Sequence, residues 1–196
     1  MINCILCGVG GQGTVLASKL IAQSAINRGA YVRTAETIGM AQRGGCVVSH
    51  VRIEPEGPSP MVPLGQADLI IGFEPAEAVR ALPYLKPEGI VVCATRAVQP
   101  VTATLSGQGY DPAPLLAKLK SRAHRLVLVD GEAICQACGS AKVLNVALLG
   151  AAVATDALGV GMEQMLEALK AKVAPRFYQM NQQALALGAE AGGKQR

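Results

Sequence analysis

Short apolar runs, separated by polar stretches rich in glycine and proline, organise this chain. The first run, Ile2 to Cys7, is apolar throughout and predicts a strand buried on both faces. It breaks into Gly8-Val9-Gly10-Gly11-Gln12-Gly13. Val15, Leu16, Leu20 and Ile21 then mark a helix from Val15 to Asn27, with Thr14 in position to cap it and Gly29 to stop it. Ala30 to Ala35, Cys46 to Ile53, Ala67 to Gly72, Gly89 to Ala94 and Arg125 to Val129 read as further strands. An irregular strand is expected near Val101 to Leu105, and Glu54 to Pro63 reads as a surface loop. Pro75 to Leu82 and Pro112 to Ser121 predict helices, and Ala133 to Gly139 a short helix or turn. From Lys142 onward the pattern is helical, over Val143 to Leu158, Met162 to Val173 and Pro175 to Leu187. Residues 1–190 read as one domain and 191–196 as a flexible tail.

Short apolar strands alternating with helices predict a single α/β domain. Its sheet is expected to be mostly parallel, doubly wound and Rossmann-like, with helices on both faces and a helical C-terminal segment. Ligands in such a sheet bind beyond the carboxyl ends of the strands. That edge would gather Gly8 to Gly13, Glu36 to Gly45, the region after Gly72, and Thr95-Arg96. The composition adds little that competes with this fold. Aromatics are 3% of the 196 residues and Trp is absent, so the core must be built from Ala, Val, Leu and Ile. The net charge of +4 is too small and scattered for a nucleic-acid binder. The most apolar late stretch, Val143 to Ala154, contains Asn145 and is too short to span a bilayer. Met1-Ile2-Asn3 carries no basic leader, so the expected location is cytoplasmic and the six cysteines are expected to be thiols.

Strand, glycine-rich turn and helix give the Gly-x-Gly-x-x-Gly spacing its meaning. The chain turns sharply, a ligand can approach bare backbone, and the N–H groups at the helix start favour an anion. A nicotinamide site would also need an acid at the end of the second strand, and Glu36 sits there. His50 and His124 read as structural or surface residues rather than a hydride-transfer base. The cysteines form two C-x-x-C pairs, Cys4/Cys7 and Cys135/Cys138. An odd offset along a strand sends Cys4 and Cys7 to opposite faces, which argues against a shared metal, and no metal site is expected. Cys135/Cys138 is the better redox motif. Glu36, Gln42 and Arg43 are the most informative polar residues, Arg43 offering a planar fork for carboxylate or phosphate.

Gly8-Val9-Gly10-Gly11-Gln12-Gly13, then Glu36, then Gly39-Met40-Ala41-Gln42-Arg43-Gly44-Gly45 and Val47-Val48-Ser49-His50-Val51-Arg52, resemble the gamma-type domain of 2-oxoacid:ferredoxin oxidoreductases, the small-subunit form of the indolepyruvate enzymes in particular. Ala67 to Glu74 and Asn145 to Gly159 are similar to the later segments of that family. Ile38 stands where its members commonly carry a histidine. The resemblance implies a subunit inactive alone. A larger (alpha) partner would carry thiamine diphosphate and [4Fe-4S] clusters, and ferredoxin would accept the electrons. It implies oxidative decarboxylation of an aryl pyruvate such as indolepyruvate to acyl-coenzyme A and CO2. Glu36, Gln42 and Arg43 would form an active-site wall. Gly8, Gly10, Gly11, Gln12, Gly13, Thr14, Arg43, Gly44, Gly45 and Thr95 would be the surface for coenzyme A. The apolar helix from Val143 is either central to the domain or covered by another subunit, and a homodimer in isolation is compatible with it. Two alternatives stay open from the residues themselves: a stand-alone NAD(P)- or nucleotide-binding enzyme, and a non-enzymatic nucleotide or acyl-coenzyme A module.

Overall fold

In the computed structural model, residues 1–37, 45–98 and 110–194 are described. They hold one six-stranded sheet: β1 Ile2–Val9, β2 Val32–Glu36, β3 Cys46–Ile53, β4 Ala67–Gly72, β5 Leu85–Ala94 and β6 Arg125–Val129. The helices among them are α1 Thr14–Asn27, α2 Pro75–Ala81, α3 Ala113–Arg122, α4 Gly131–Ala137, α5 Leu144–Val153, α6 Met162–Lys172 and α7 Pro175–Gly193. The strand order is β2-β3-β1-β4-β5-β6. β1, β4, β5 and β6 are parallel, whereas β3 is antiparallel to both its neighbours. The reason is chain length. A parallel return needs a crossover of a dozen or more residues, and only positions 37–45 separate β2 from β3. The mostly parallel α/β architecture expected from the alternation is therefore present, with one hairpin strand inserted beside β1.

The uninterrupted apolar strands are buried on both faces. Cys4, Leu6, Leu69, Ile71, Val92 and Val127 join the core under α1, α4, α5, α6 and α7. Ile5, Cys7, Ile70, Val91 and Cys93 join a smaller core with Ala78 of α2, Leu119 of α3 and Val62 of the 54–66 loop. Cys4 and Cys7 thus point to opposite faces, as the strand period requires.

Several boundaries differ from the sequence reading, each for a local reason. β5 starts at Leu85 rather than Gly89, because Lys86–Gly89 bulge out between the pairs Ala67–Leu85 and Leu69–Ile90. α5 stops at Val153 rather than Leu158. The Thr155 hydroxyl donates to the Ala152 carbonyl at 2.6 Å and Asp156 takes φ +63°, while Leu158 still fills the core from the following turn. α7 runs to Gly193, past the expected end at Leu187 and into the stretch expected as a tail. The expected strand near residues 101–105 lies outside the described residues. Among the described residues no helix is long and apolar enough to cross a membrane.

α5 is buried from Asn145 through Val153, so no face of it is left for another subunit. Its cover is α7, and the two helices meet backbone to backbone. A Cβ at Gly150 would collide with the Leu185 carbonyl, one at Gly188 with the Ala147 carbonyl, and one at Gly192 would lie 2.6 Å from the Ala151 carbonyl. The glycines that look like helix stops are contact points instead. Gly188→Val should therefore cost about 3 kcal/mol in urea unfolding, because backbone and not a yielding side chain occupies the space. Gly193→Ala meets open space and should change stability by no more than about 0.5 kcal/mol.

Candidate functional site: the glycine loop and the adjoining cleft

The loop after β1 is built largely from its own amides and one glutamine. The Gln12 amide donates to the Val9 carbonyl at 3.1 Å, closing the turn, and Gly10 N donates to Gly45 O at 2.8 Å. The Gln12 side chain braces both sides. Its Oε1 accepts from Val9 N at 2.7 Å and its Nε2 donates to Phe73 O at 3.1 Å, tying the loop to the end of β4. Gly13 takes φ +84° and is itself the N-cap of α1, with no side-chain cap on that end. Thr14, expected as the cap, is instead the first helical residue and is buried. The left-handed turn at Gly13 explains the shift, since a residue with a Cβ is disfavoured there. A Cβ at Gly13 would also lie 2.7 Å from Asn145 Nδ2 at the start of α5. The start of α1 thus has no capping side chain, and uncapped amides at a helix start favour an anion.

Beside this loop lies a cleft of about 360 Å3 whose walls include Gln12, Arg96, Gly131, Cys135, Gln136 and Ser140. It opens where the sheet rule places ligands, beyond the ends of β1, β5 and β6. Arg96 supplies its positive charge. The Arg96 ion pair with Glu132, at 3.9 Å, is exposed and binds the guanidinium weakly. Asp130 is committed to capping α4 through Ala133 N at 3.0 Å.

The other predicted residues separate into groups. Gly8, Gly10, Gly11, Gln12, Gly13 and Thr14 make the loop, and Gly45 joins it through Gly10. Gln42, Arg43 and Gly44 lie outside the described residues, as does Ile38. Thr95 is not in the cleft wall; its amide and hydroxyl reach the Val129 carbonyl at 3.0 and 3.4 Å, and the neighbouring Arg96 faces the cleft instead. Glu36 accepts from Ser18 Oγ at 2.9 Å. Because β3 intervenes, Glu36 is two strand spacings from β1, about 10 Å, rather than one as in a nicotinamide site. His50 is buried, accepts from Val62 N at 3.2 Å and packs edge-on against Tyr84, so it is structural; His124 is exposed.

Sequence reasoning missed a buried acidic corner on the opposite side of the loop. Glu74 caps α2 through Glu77 N at 3.1 Å and accepts from the Tyr110 hydroxyl; Glu77 pairs with Arg80. Burial and a hydrogen bond to Glu77 push the Cys46 thiol up to about 11. Burial pushes the thiols of Cys4, Cys7 and Cys93 up further.

Residues 3–191 match the family model described as pyruvate ferredoxin/flavodoxin oxidoreductase. The chain belongs to this family. Two relatives named indolepyruvate oxidoreductase subunit IorB are similar along nearly their whole length. That of Archaeoglobus fulgidus is 35% identical over 188 residues, 95% of this chain and 93% of the relative. That of Thermococcus kodakarensis is 34% identical over 191 residues, 96% and 95%. The fold is shared with the gamma subunit of a keto/oxoacid ferredoxin oxidoreductase from Geobacter sulfurreducens, with a TM-score of 0.71, 22% identity and 98% of each chain covered. It is shared also with part of 2-oxoglutarate:ferredoxin oxidoreductase from Magnetococcus marinus, solved with 2-oxoglutarate, coenzyme A and succinyl-CoA. There the TM-score is 0.74 and the identity 16%, over 98% of this chain and 31% of that one. This member of the oxidoreductase family is thus of subunit type.

Two outcomes test the site's construction. Gln12→Ala removes both braces of the loop and should cost about 1 kcal/mol in urea unfolding. Burial lowers the His50 pKa below its ordinary 6.5. The unfolded chain therefore binds that proton first, and stability falls as pH drops through about 6.5. The melting temperature should decline from pH 7.5 to 5, and His50→Gln should flatten that slope.

Proposed function

We propose that the chain is the small, gamma-type subunit of a thiamine diphosphate-dependent 2-oxoacid:ferredoxin oxidoreductase acting on an aryl pyruvate such as indolepyruvate. The observation that carries this reading is the family match across residues 3–191, with relatives named for indolepyruvate at 34–35% identity and those named for pyruvate and ketoisovalerate at 27–29%. The assembly is cytoplasmic, and its activity requires the larger subunit.

Thiamine diphosphate and iron–sulfur clusters in that subunit supply decarboxylation and a path for electrons to ferredoxin. The cysteines of this chain do not fit a cluster. Cys4 and Cys7 lie in separate cores on either side of β1, and Cys135 and Cys138 lie on another element. Among the described residues no three His, Cys, Asp or Glu groups are gathered for a metal.

Coenzyme A does fit what this chain offers. Its phosphates are anions, and the cleft combines Arg96, Ser140 and Gln12, the last of which lies in the glycine loop that leads into the uncapped start of α1. Arg96 would hold a phosphate and the loop backbone would seat it. Arg43, Gly44 and Gly45 would contribute to the same coenzyme A surface, and Glu36, Gln42 and Arg43 would belong to the shared active-site wall. The separation of Glu36 from β1 weighs against the stand-alone nicotinamide alternative.

The test is an anaerobic pull-down of the chain from its source, with the bound material assayed for thiamine diphosphate, iron and 2-oxoacid-dependent ferredoxin reduction. Recovery of a larger cluster-bearing chain with highest activity on indolepyruvate is expected. Recovery of the chain alone, carrying a nucleotide, would overturn the reading. In the assembled enzyme, Arg96→Ala should raise the KM for coenzyme A about tenfold with kcat retained, the scale of one charge-assisted hydrogen bond.

A further inference from the structure

The oxidoreductase reading leaves Cys135 and Cys138 without a role, yet they occupy a well-defined helix end. α4 closes with Ser140 N donating to Cys135 O at 3.0 Å and Gly139 N donating to Gln136 O at 3.1 Å, and Gly139 takes φ +72°. This is the Schellman arrangement, with Cys135 three residues before the cap and Cys138 at the cap itself. Residues so spaced share one helix face, with Cα atoms about 5 Å apart, inside the range a disulfide spans. Cys135 lines the cleft; both thiols are half-buried and unbonded to each other. The Cys135 thiol makes a weak contact to the Ala141 carbonyl at 3.8 Å and lies near Arg96 and the Leu144 backbone. The other cysteines are unlike them: Cys4, Cys7 and Cys93 are fully buried, and Cys46 is exposed on β3 with its thiol held above its ordinary pKa by burial and Glu77.

We propose that Cys135 and Cys138 form a thiol–disulfide exchange site for a low-molecular-weight disulfide that enters the cleft. The Cys135 thiol gives its proton to solvent, and its thiolate attacks one sulfur of the disulfide RSSR. A Cys135–S–S–R bond forms as the S–S bond of RSSR breaks and the first RS⁻ leaves, taking up a proton. The Cys138 thiol loses its proton to solvent, and its thiolate attacks the Cys135 sulfur and expels the second RS⁻, which takes up a proton in turn. One RSSR is reduced to two RSH, and two thiols are oxidised to one disulfide within the last turn of α4. Burial holds both thiols above their ordinary pKa, and the helix C-terminus acts in the same direction. That is the reverse of the helix N-terminal dithiols of strong oxidants. The reduced form gains no stabilisation from a thiolate, so the disulfide is favoured and the pair is a reducing one. Closure removes the Cys135 thiol from the cleft wall beside Arg96.

The test exposes the native, anaerobically isolated protein to bis(2-hydroxyethyl) disulfide and maps its cysteines by mass spectrometry. The expected result is a Cys135–Cys138 disulfide, two hydrogens lighter and without adduct. In Cys138→Ser the hydroxyethylthio adduct should accumulate on Cys135, and in Cys135→Ser no disulfide should form on α4. Two free thiols on α4 while Cys46 takes up the reagent would overturn the proposal. So would a Cys138→Ser protein with unchanged circular dichroism and no adduct on Cys135. Both readouts lie on this chain and stand whether or not a thiamine-bearing partner is recovered.

Discussion

The close meeting of α5 and α7 fixes more of this protein than any other contact. Gly150 and Gly188 let two helix backbones touch, and that presses α5 down onto the sheet. α5 then has no exposed stripe, and Asn145 in its first turn packs against Gly13. Asn145 Nδ2 reaches the Gly13 carbonyl at 3.5 Å, so the start of α1 is aimed by a helix more than a hundred residues away. The cleft is the space left between the glycine loop, α4 and the entry to α5. Its shape is therefore inherited from helix packing deep in the domain.

Much of the sheet was legible because its strands are apolar on both sides and bounded by turn residues. β3, β4 and β6 have the limits that the apolar runs predict. The antiparallel setting of β3 was hidden only because alternation was applied too broadly; the short link between β2 and β3 contained the answer. Helix ends were less legible. Apolarity continues past α5 because Leu158 is still buried, and glycines in α7 serve close approach rather than termination. Composition cannot distinguish those two uses of glycine.

The site was half legible. The Gly-x-Gly-x-x-Gly spacing marked the loop, since local sequence alone makes that turn. The cleft was not, because Gln12 after β1, Arg96 after β5 and Ser140 after α4 come together from distant parts of the chain and no local pattern joins them. Glu36 shows the same limit in reverse. Its distance along the chain from the glycines is that of a ribose-binding acid, but an inserted strand moves it aside and Ser18 holds it.

The order of elements along the chain also shapes its birth on the ribosome. α5, whose sequence is almost wholly apolar, is made before α7, the last described element, which covers it backbone to backbone. A nascent chain that has released α5 but not α7 exposes a greasy helix with one bare glycine notch, at Gly150. Such a species is prone to stick to others of its kind. Synthesis of this protein thus carries a vulnerable interval that ends only when the final helix docks, and holding chaperones would find their natural target there.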